Sequence, residues 1–251
     1  MNQDNDIRQR NICLVLPTYN NSQTVGKVIE ELLEHTTHII VVNDGSTDST
    51  AKILTAYRHR LIAVISYPVN RGKGYALKLG FQQAIEKKYA YALTLDTDGQ
   101  HDWSCAERLL AAARTSRDAL LIGSRCRYHD DMPRPNRMAN RFSNFWFYVQ
   151  TGYRLPDTQS GCRLYPLERM EDMHLITNRF ELEIEVLVRC AWRNIPLKAV
   201  PIAVYYAPER KRVSHFRPCL DFLRISALNT MLTFLALVYG RPKMWLSTWK
   251  K

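Results

Sequence analysis

The sequence Tyr91-Ala-Leu-Thr-Leu-Asp-Thr-Asp-Gly-Gln-His-Asp102 joins a short apolar run to a cluster of polar side chains. Its first five residues are mostly apolar or aromatic and predict a buried strand. Asp96 and Asp98 follow directly, with Gln100 and His101 close behind. Such Asp and Gly clusters often do no more than end a strand. In an open α/β sheet, however, ligands gather at the carboxyl ends of strands, and carboxylate oxygens suit a hard divalent cation. The stretch therefore predicts a cation site that serves a diphosphate.

Apolar runs of strand length alternate with segments of helical spacing over most of the chain. This alternation predicts an α/β fold with a Rossmann-like, doubly wound and mostly parallel sheet and right-handed crossovers. Strands are predicted at 12–16, 38–42, 61–67, 91–95, 119–122 and 197–205. Helices are predicted at 24–33, 51–57, 75–87, 104–114, 137–150, 180–192 and 220–239. The polar loops after the first, second and fourth strands should meet at one edge of the sheet.

Length and charge narrow the functional classes. The 251 residues suit one large domain, residues 1–217, and a C-terminal extension, residues 218–251. Hydrophobic residues make up 46% of the sequence, which excludes a disordered chain. The formal net charge of +11 predicts anionic partners such as phosphates or an acidic membrane surface. No recognised nucleic-acid-binding signature is present, so nucleic acid is not an expected partner.

The cysteine spacing and the lengths of the apolar runs indicate the cellular compartment of the protein. Six scattered cysteines form no Cys-x-x-Cys pair, so neither a zinc site nor a disulfide framework is predicted, and a reducing cytoplasm is expected. The polar segment 1–11 does not resemble a signal peptide. By this reading, no uninterrupted apolar run is long enough to span a bilayer.

The loop Asn70-Arg-Gly-Lys-Gly74 opens a predicted helix. Exposed amides at a helix N-terminus, together with the ammonium of Lys73, favour a phosphate. The loop matches neither the P-loop pattern nor the dinucleotide-binding pattern of glycines. An ordinary helix start is the alternative.

Two later segments carry candidate groups for an acceptor. The segment 125–148 is rich in Arg and Asn with interleaved aromatics, which fits either a phosphate-binding edge beside an apolar groove or an ordinary packed helix. The predicted helix 180–192 carries Glu181, Glu183 and Glu185. Acids near a helix start are usually surface residues, but one that faces a pocket would serve as a general base.

The C-terminal region combines basic and apolar character. A basic run, 209–217, precedes an apolar segment, 220–239, in which Leu and Met residues form an amphipathic stripe. Basic flanks with Trp245 and Trp249 predict a helix in the interface of an anionic membrane, and therefore a peripheral location on the inner face of the cytoplasmic membrane. The alternative is packing on the domain or on a second subunit, which would make a homo-oligomer.

In their order and spacing, six motifs together resemble those of family 2 glycosyltransferases of the GT-A fold. The resemblance is to the branch of dolichyl- or polyprenyl-phosphate mannose or glucose synthases, and it covers the chain from Ile12 to about Ser214. The motifs are Pro17-Thr-Tyr-Asn20, Asn43-Asp44-Gly-Ser-Thr-Asp48, Asn70-Arg-Gly-Lys-Gly-Tyr-Ala76, Asp96-Thr-Asp-Gly-Gln-His101, Gly123-Ser-Arg125 and Asp157-Thr-Gln-Ser-Gly-Cys-Arg163.

The resemblance implies a metal-dependent, inverting hexosyltransferase that uses a UDP- or GDP-linked sugar and a lipid-linked acceptor, most simply polyprenyl phosphate. It implies that Asp98 and Gln100, with Asp96 beside them, hold Mg²⁺ or Mn²⁺. The donor would be bound by Pro17, Tyr19, Asn20, Asp44, Lys73 and Asp96. Arg125 would bind a phosphate of the donor or acceptor. Asp157, Ser160 and Arg163 would face the acceptor, with Asp157 as a catalytic residue beside Asp98. Among the helix acids, Glu185 best matches the family's glutamate and Glu183 comes second.

The sequence departs from this family pattern at several positions. Asn21 and Asn43 replace acids that are frequent there. His215 stands where the phosphate-lipid synthases usually have a lysine, and the surrounding residues also resemble family 2 enzymes of bacterial cell-envelope pathways that modify acyl or aryl lipids. A hydroxyl of such a lipid, or of a glycan, is thus the alternative acceptor.

The nature of the acceptor decides whether a base is needed. A phosphate is already ionised and needs none, whereas a hydroxyl needs a carboxylate such as Glu185 or Glu183. A sugar-phosphate nucleotidyltransferase is disfavoured because the loop after the first strand lacks the glycines it requires. The non-enzymatic alternatives are a basic lipid-surface scaffold and a nucleic-acid-binding module, and intact Asp96, Asp98 and Gln100 argue against the scaffold.

Overall fold

A computed structural model describes residues 7–8, 10–125, 134–204 and 218–248. The strands are β1 (Ile12–Thr18), β2 (Ile39–Asp44), β3 (Ala63–Tyr67), β4 (Tyr91–Thr94), β5 (Leu120–Ser124), β6 (Arg163–Pro166) and β7 (Leu197–Pro201). The helices are α1 (Val25–Leu33), α2 (Thr50–Thr55), α3 (Lys73–Glu86), α4 (Trp103–Ala113), α5 (Arg134–Thr151), α6 (Leu167–Met170), α7 (Glu181–Trp192), α8 (Pro218–Leu235) and α9 (Arg241–Thr248). A π-helical turn, Ala236–Gly240, joins α8 to α9.

The strands form one mixed sheet in the order β3-β2-β1-β4-β6-β5-β7. Strand β6 runs antiparallel to β4 and β5, whereas the other described pairs are parallel. The predicted α/β fold with a mostly parallel sheet is confirmed. The sequence did not predict β6, because its four residues begin with an arginine, end with a proline and show no alternation.

Both faces of the sheet are covered because its central strands are apolar on both sides. Cys13 and Val15 face one cluster of buried residues, which includes parts of α3, α5, α7 and α8. Ile12 and Leu14 face a second cluster, which includes parts of α1, α2 and α4. This two-sided burial is the pattern expected of a parallel sheet in an α/β protein, and it leaves the loops at the carboxyl ends of the strands free to build a site.

The C-terminal helix packs on α5 and α7 but differs from its prediction in two respects. The predicted apolar stripe is divided between two faces, since Leu228 and Leu232 are buried whereas Leu220 and Leu223 are exposed. The expectation that no segment is long enough to span a bilayer is wrong by length and composition, because Leu220–Trp245 forms 26 helical residues apolar enough to do so, and 22% of its most apolar window is buried. The polar residues within Leu220–Trp245 are too few to bring its mean hydropathy below that of a membrane-spanning helix.

The basic run 209–217, with His215, lies outside the described residues, as do Trp249 and the residues that follow β5, 126–133. The predicted boundary between residues 217 and 218 coincides with the beginning of α8. The division into a domain and an extension stays a prediction.

Candidate active site

Three polar loops meet at the carboxyl edge of β1, β2 and β4. Thr97, between the two acids after β4, accepts a hydrogen bond from Asn21 Nδ2 at 2.8 Å, and its own hydroxyl lies 2.9 Å from Thr18 Oγ1. Asn20 Oδ1 accepts from the backbone N–H of Thr47 at 2.8 Å, which ties the first loop to the second. The structure therefore brings together the loops that the sequence predicted at one edge.

Asp44, at the end of β2, organises the next loop instead of presenting a free carboxylate. It is buried, and it accepts hydrogen bonds from the Tyr67 hydroxyl at 2.9 Å, Asn70 Nδ2 at 2.9 Å and the backbone N–H groups of Arg71 and Gly72 at 2.7 and 2.9 Å. Burial raises the pKa of Asp44, although these donors oppose the shift. Its contact with a nucleotide stays a prediction, and in this structure the carboxylate already accepts hydrogen bonds from the protein.

Lys73 begins α3 and connects two acids. Its Nζ lies 2.7 Å from Asp96 Oδ1 and 3.2 Å from Glu183 Oε1. Burial would lower the pKa of Lys73, but the charges of Asp96 and Glu183 raise it. For Asp96, burial opposes ionisation and Lys73 outweighs it, so the pKa of Asp96 is lowered. Asp96 and Lys73 are therefore both charged at neutral pH.

Gly161 closes the floor of this cluster. A Cβ at this position would collide with Asp96 Oδ2 and would lie 2.8 Å from Lys73 Nζ. No side chain other than hydrogen fits here without displacing the ion pair. The glycine in the loop before β6 is thus required by the close approach of Asp96.

Asp98 is the acid of this edge that lacks an ion-pair partner among the described residues. It is half-buried, and its Oδ1 accepts the backbone N–H of Gln100 at 2.9 Å. Burial and the neighbouring charge of Asp96 both raise the pKa of Asp98. A carboxylate under these conditions is stabilised by an added cation.

The protein supplies only some of the oxygen ligands that a hard divalent cation needs at this position. Within the described residues, no group of three or more His, Cys, Asp or Glu side chains is placed to hold a metal. Mg²⁺ in nucleotide sites, however, is bound by one or two carboxylates plus substrate phosphates and water. Asp98 and Gln100 match that requirement. Asp96, also predicted as a ligand, has Oδ1 engaged by Lys73.

His101 lies beside the two acids and was not assigned a role from sequence. It is buried, and its Nδ1 has no hydrogen-bond partner among the described residues. Burial would lower the pKa of His101, but a hydrogen bond with Cys105 and the charges of Asp96 and Asp98 raise it. Its place directly after Gln100 was the only signal in the sequence.

Arg125 and Asp157 form a buried bidentate pair after β5. Arg125 Nε and Nη2 lie 2.7 and 2.9 Å from the two carboxylate oxygens, and the backbone N–H of Arg125 donates to Asp157 Oδ2 at 3.1 Å. Burial would raise the pKa of Asp157, but Arg125 outweighs it and lowers the pKa. The catalytic role of Asp157 stays a prediction, and its side chain is fully buried against Arg125 in this structure.

Arg163 and Ser160 are structural in this arrangement. Arg163 is fully buried and donates to the backbone carbonyls of Ser160, Glu183 and Thr158 at 2.7, 2.6 and 2.9 Å. Ser160 is buried too, and its Oγ accepts the N–H of Cys162 at 3.4 Å. Both side chains are turned into the protein in this structure, and their contact with an acceptor stays a prediction.

Glu183 and Glu185 of α7 point in different directions. Residues two apart on a helix point about 200° away from each other, so only one of Glu183 and Glu185 faces the site. Glu183 contacts Lys73, whereas Glu185 is fully buried and accepts hydrogen bonds from Ile176 and Thr177. The assignment of Glu185 as the base stays a prediction, and it is Glu183 that lies beside Lys73.

The remaining predicted donor residues lie at the first loop. Pro17 is in β1, opposite Val42 of β2, and its carbonyl accepts a hydrogen bond from Thr97 Oγ1 at 3.3 Å. Tyr19 is half-buried at the end of the strand. Asn20 has a positive φ of 50°, a conformation that Asn tolerates, and this turns its side chain toward Thr47.

The sequence of this chain is similar to those of known proteins. Residues 13–174 match the family described as glycosyl transferase family 2. An uncharacterized protein of Methanocaldococcus jannaschii is 31% identical over 210 residues, which are 81% of this chain and 85% of the relative. Glycosyltransferase AglJ of Haloferax volcanii is 32% identical over 204 residues, 79% of this chain and 64% of the relative.

A third relative names an acceptor, and a solved structure shows the fold. The UDP-N-acetylglucosamine–dolichyl-phosphate N-acetylglucosaminyltransferase of Methanococcus voltae is 26% identical over 215 residues, 78% of this chain and 86% of the relative. Glucosyl-3-phosphoglycerate synthase of Mycobacterium tuberculosis, solved with Mn²⁺, UDP and phosphoglyceric acid, superposes with a TM-score of 0.63 at 21% identity, covering 93% of this chain and 80% of that chain.

Proposed function

Because this chain belongs to glycosyl transferase family 2, we propose that it transfers a sugar from a UDP- or GDP-linked donor to a polyprenyl phosphate. Transfer depends on Mg²⁺ or Mn²⁺ and inverts the anomeric centre. The relative that names dolichyl phosphate as its acceptor supports the lipid phosphate. A solved structure of the same fold that contains Mn²⁺ and UDP supports the cation and the nucleotide.

The observation that carries the proposal is the pairing of the site's acids. Lys73 is the shared ion-pair partner of Asp96 and Glu183, and Arg125 is the partner of Asp157. Glu185 is paired with Arg189 at 2.7 Å and faces away from the site. A paired carboxylate is a weak proton acceptor, so the acids described here suit an acceptor that arrives already ionised. A phosphate is such an acceptor, whereas a lipid hydroxyl is not.

The same pairing supports a single displacement. A double displacement needs a free carboxylate as the covalent nucleophile. Asp98 is the one site acid without an ion-pair partner among the described residues, and it is the expected cation ligand. Direct attack by the acceptor on the anomeric carbon inverts that centre.

Asp98 and Gln100 would hold the cation, which when bound neutralises the charge that develops on the departing diphosphate. Lys73 keeps Asp96 ionised and fixed in place, so that Asp96 can accept hydrogen bonds from the sugar or ribose through its second oxygen. Asp44 holds the backbone of the Asn70–Gly74 loop beside this position. Together these residues orient the donor before the acceptor arrives.

Exposed apolar side chains on two helices support attachment to a membrane. On α5, Met138, Phe142 and Phe145 recur at helical spacing and are all exposed. The Phe142 ring lies 5.8 Å from that of Phe222 on α8, which joins the two helices into one surface. Four arginines and one lysine on α5, α8 and α9 are exposed as well: Arg134, Arg141, Arg224, Arg241 and Lys243. We expect this surface to contact an anionic bilayer on the cytoplasmic side.

The proposal is tested by donor binding. We would titrate UDP- and GDP-sugars into the purified full chain by calorimetry, with and without Mn²⁺. Wild type is expected to bind one nucleotide sugar only when Mn²⁺ is present. Asp98→Asn is expected to lose this binding, whereas Asp102→Asn, an exposed acid of the same loop, should retain it. Failure of the folded wild type to bind any donor would contradict the proposal.

A further inference from the structure

Glu185 holds a short segment of backbone from inside the protein. Its carboxylate accepts hydrogen bonds from the N–H groups of Ile176 and Thr177 at 3.1 and 2.9 Å, and from the Thr177 hydroxyl at 2.7 Å. Arg189, one turn later on α7, lies 2.7 Å from it. The side chain of Glu185 is fully buried. We call residues 175–179, which this carboxylate secures, the clamp segment.

The clamp segment packs on the loop that carries Lys73. The carbonyl of Asn178 accepts the N–H of Tyr75, in the first turn of α3, at 2.8 Å. Lys78, on the same helix, donates to the Asn178 side chain at 2.6 Å and to the Leu175 carbonyl at 3.3 Å. The clamp segment is thus attached to α3 by backbone and side-chain hydrogen bonds.

Two glycines record how closely the clamp segment approaches. A Cβ at Gly72 would lie 2.5 Å from Arg179 Cγ and 2.6 Å from the Asn178 carbonyl oxygen. A Cβ at Gly74 would lie 2.7 Å from the Arg179 carbonyl oxygen. Since contacts this short do not occur for real side chains, the loop on both sides of Lys73 has no room to shift while the clamp segment is in place.

Helix α7 therefore acts on Lys73 from two directions. Glu183 pairs with the ammonium of Lys73, and Glu185, two residues later, fixes the backbone against which the Lys73 loop rests. The same loop is also held by Asp44, which accepts hydrogen bonds from the N–H groups of Arg71 and Gly72. Any movement of the clamp segment would move both the Lys73–Asp96 pair and the loop that Asp44 holds.

We propose that Glu185 is a positioning residue for the nucleotide-sugar donor: it acts through the clamp segment and makes no contact with the reacting groups. This inference rests on the proposed function, because the donor is the ligand that the Lys73 loop would receive. It assigns the two acids of α7 to different tasks. Glu183 sets the charge of the site, and Glu185 sets the position of the loop.

The test compares donor affinity among variants of the full chain, with Mn²⁺ and whichever of UDP-glucose or GDP-glucose the wild type binds. Glu185→Gln keeps the shape of the side chain but removes its charge. Thr177→Val removes one hydroxyl donor, and Thr177→Ser keeps it. Glu181→Gln is the matched control, since Glu181 is a nearly buried acid one turn earlier on α7 whose Oε2 has no hydrogen-bond partner among the described residues.

We expect Glu185→Gln to raise the dissociation constant of the donor about tenfold, the order for loss of one charge-assisted hydrogen bond. Thr177→Val should raise it by a smaller factor, while Thr177→Ser and Glu181→Gln should match the wild type. If Glu185→Gln does not fold, the Thr177 pair decides. Unchanged affinity in folded Glu185→Gln and Thr177→Val would overturn the inference, even if their melting temperatures fell, because a merely structural role lowers stability alone.

A second outcome would also overturn it. If Glu185→Gln kept the donor affinity, turned over more slowly and no longer lost rate at acidic pH, Glu185 would be a base. If the wild type bound neither donor, the proposed function would fail instead, so the two failures are distinguishable.

Discussion

Replacement of Lys73 by methionine tests the electrostatics of the site. The substitution keeps the volume of the side chain but removes the cation that Asp96 and Glu183 share at 2.7 and 3.2 Å. Breaking a buried ion pair from one side costs about 3–5 kcal/mol, because the partner charge is left uncompensated. The Asp96 side chain is 27% exposed, which places the expected loss near the lower end, about 3 kcal/mol at pH 7.

The pH dependence of this loss has a definite sign. Lys73 lowers the pKa of Asp96 below its ordinary value. The stability from that pairing is therefore present above the ordinary pKa of an aspartate and disappears as the pH falls through the lowered value. In Lys73→Met, the pKa of Asp96 should rise, so acidification costs the variant less. The difference in unfolding free energy between wild type and variant should shrink from pH 7 toward pH 3.

Urea denaturation followed by circular dichroism at several pH values measures this difference. Lys52→Met, at an exposed lysine of α2, serves as the control and should change the unfolding free energy by no more than about 0.5 kcal/mol. A loss of unfolding free energy below about 1 kcal/mol at pH 7 is typical of exposed ion pairs. It would refute the buried arrangement of Lys73 with Asp96 and Glu183. An equal loss at pH 7 and pH 3 would refute the assigned charge on Asp96.

Three further predictions follow from other parts of the molecule. Gly161→Ala should lower turnover at least tenfold, since its methyl group collides with Asp96; turnover near the wild-type rate would show that the cluster tolerates a shift. Arg163→Met leaves three buried carbonyls without donors and should lower the unfolding free energy by about 3–6 kcal/mol in urea titrations. A loss under about 1 kcal/mol would contradict that accounting. Phe145→Glu, on the exposed stripe of α5, should weaken co-sedimentation with vesicles that contain phosphatidylglycerol, whereas Val69→Glu, an exposed apolar residue far along the chain, should not. If Phe145→Glu left vesicle binding intact but abolished self-association, the surface would be a subunit interface.

The sheet was largely predictable because its signals are local. The runs around Val15, Val41 and Leu93 are apolar on both faces, and each precedes a polar loop. Parallel connections then force those loops to one edge. The meeting of Asn21 with Thr97, across 76 residues of sequence, follows from that topology alone.

The site was harder to predict because side-chain direction depends on long-range packing. Glu183 and Glu185 are equivalent in sequence, and the contact between Glu183 and Lys73 across 110 residues is what separates them. The family motif that runs from Asp157 to Arg163 assigns both residues to the acceptor, but it does not show that both side chains are buried. Their burial became visible only with β6, whose antiparallel insertion between β4 and β5 carries no clear periodicity.

The C-terminal helix was misjudged for a related reason. Its apolar residues surround the helix, so the sequence does not show which of them pack inward. Trp192, pressed against Gly240 at the π-helical turn, and the bond between Gln150 and Asn229 fix that choice in the structure. On the exposed side of the helix, Phe222 contacts Phe142 of α5, which lies 80 residues earlier in the sequence.

The most direct test of the central claim offers the enzyme two acceptors that differ in one group. Wild type with Mn²⁺ and its preferred labelled nucleotide sugar would be supplied with polyprenyl phosphate or with the corresponding polyprenol, both in vesicles of one composition. The paired acids of the site predict sugar transfer to the phosphate, with an inverted anomeric linkage by NMR, and none to the alcohol. Transfer to the alcohol at a comparable rate would contradict the account, because it requires a base, and the described acids of the site are either paired or, in the case of Asp98, assigned to the cation.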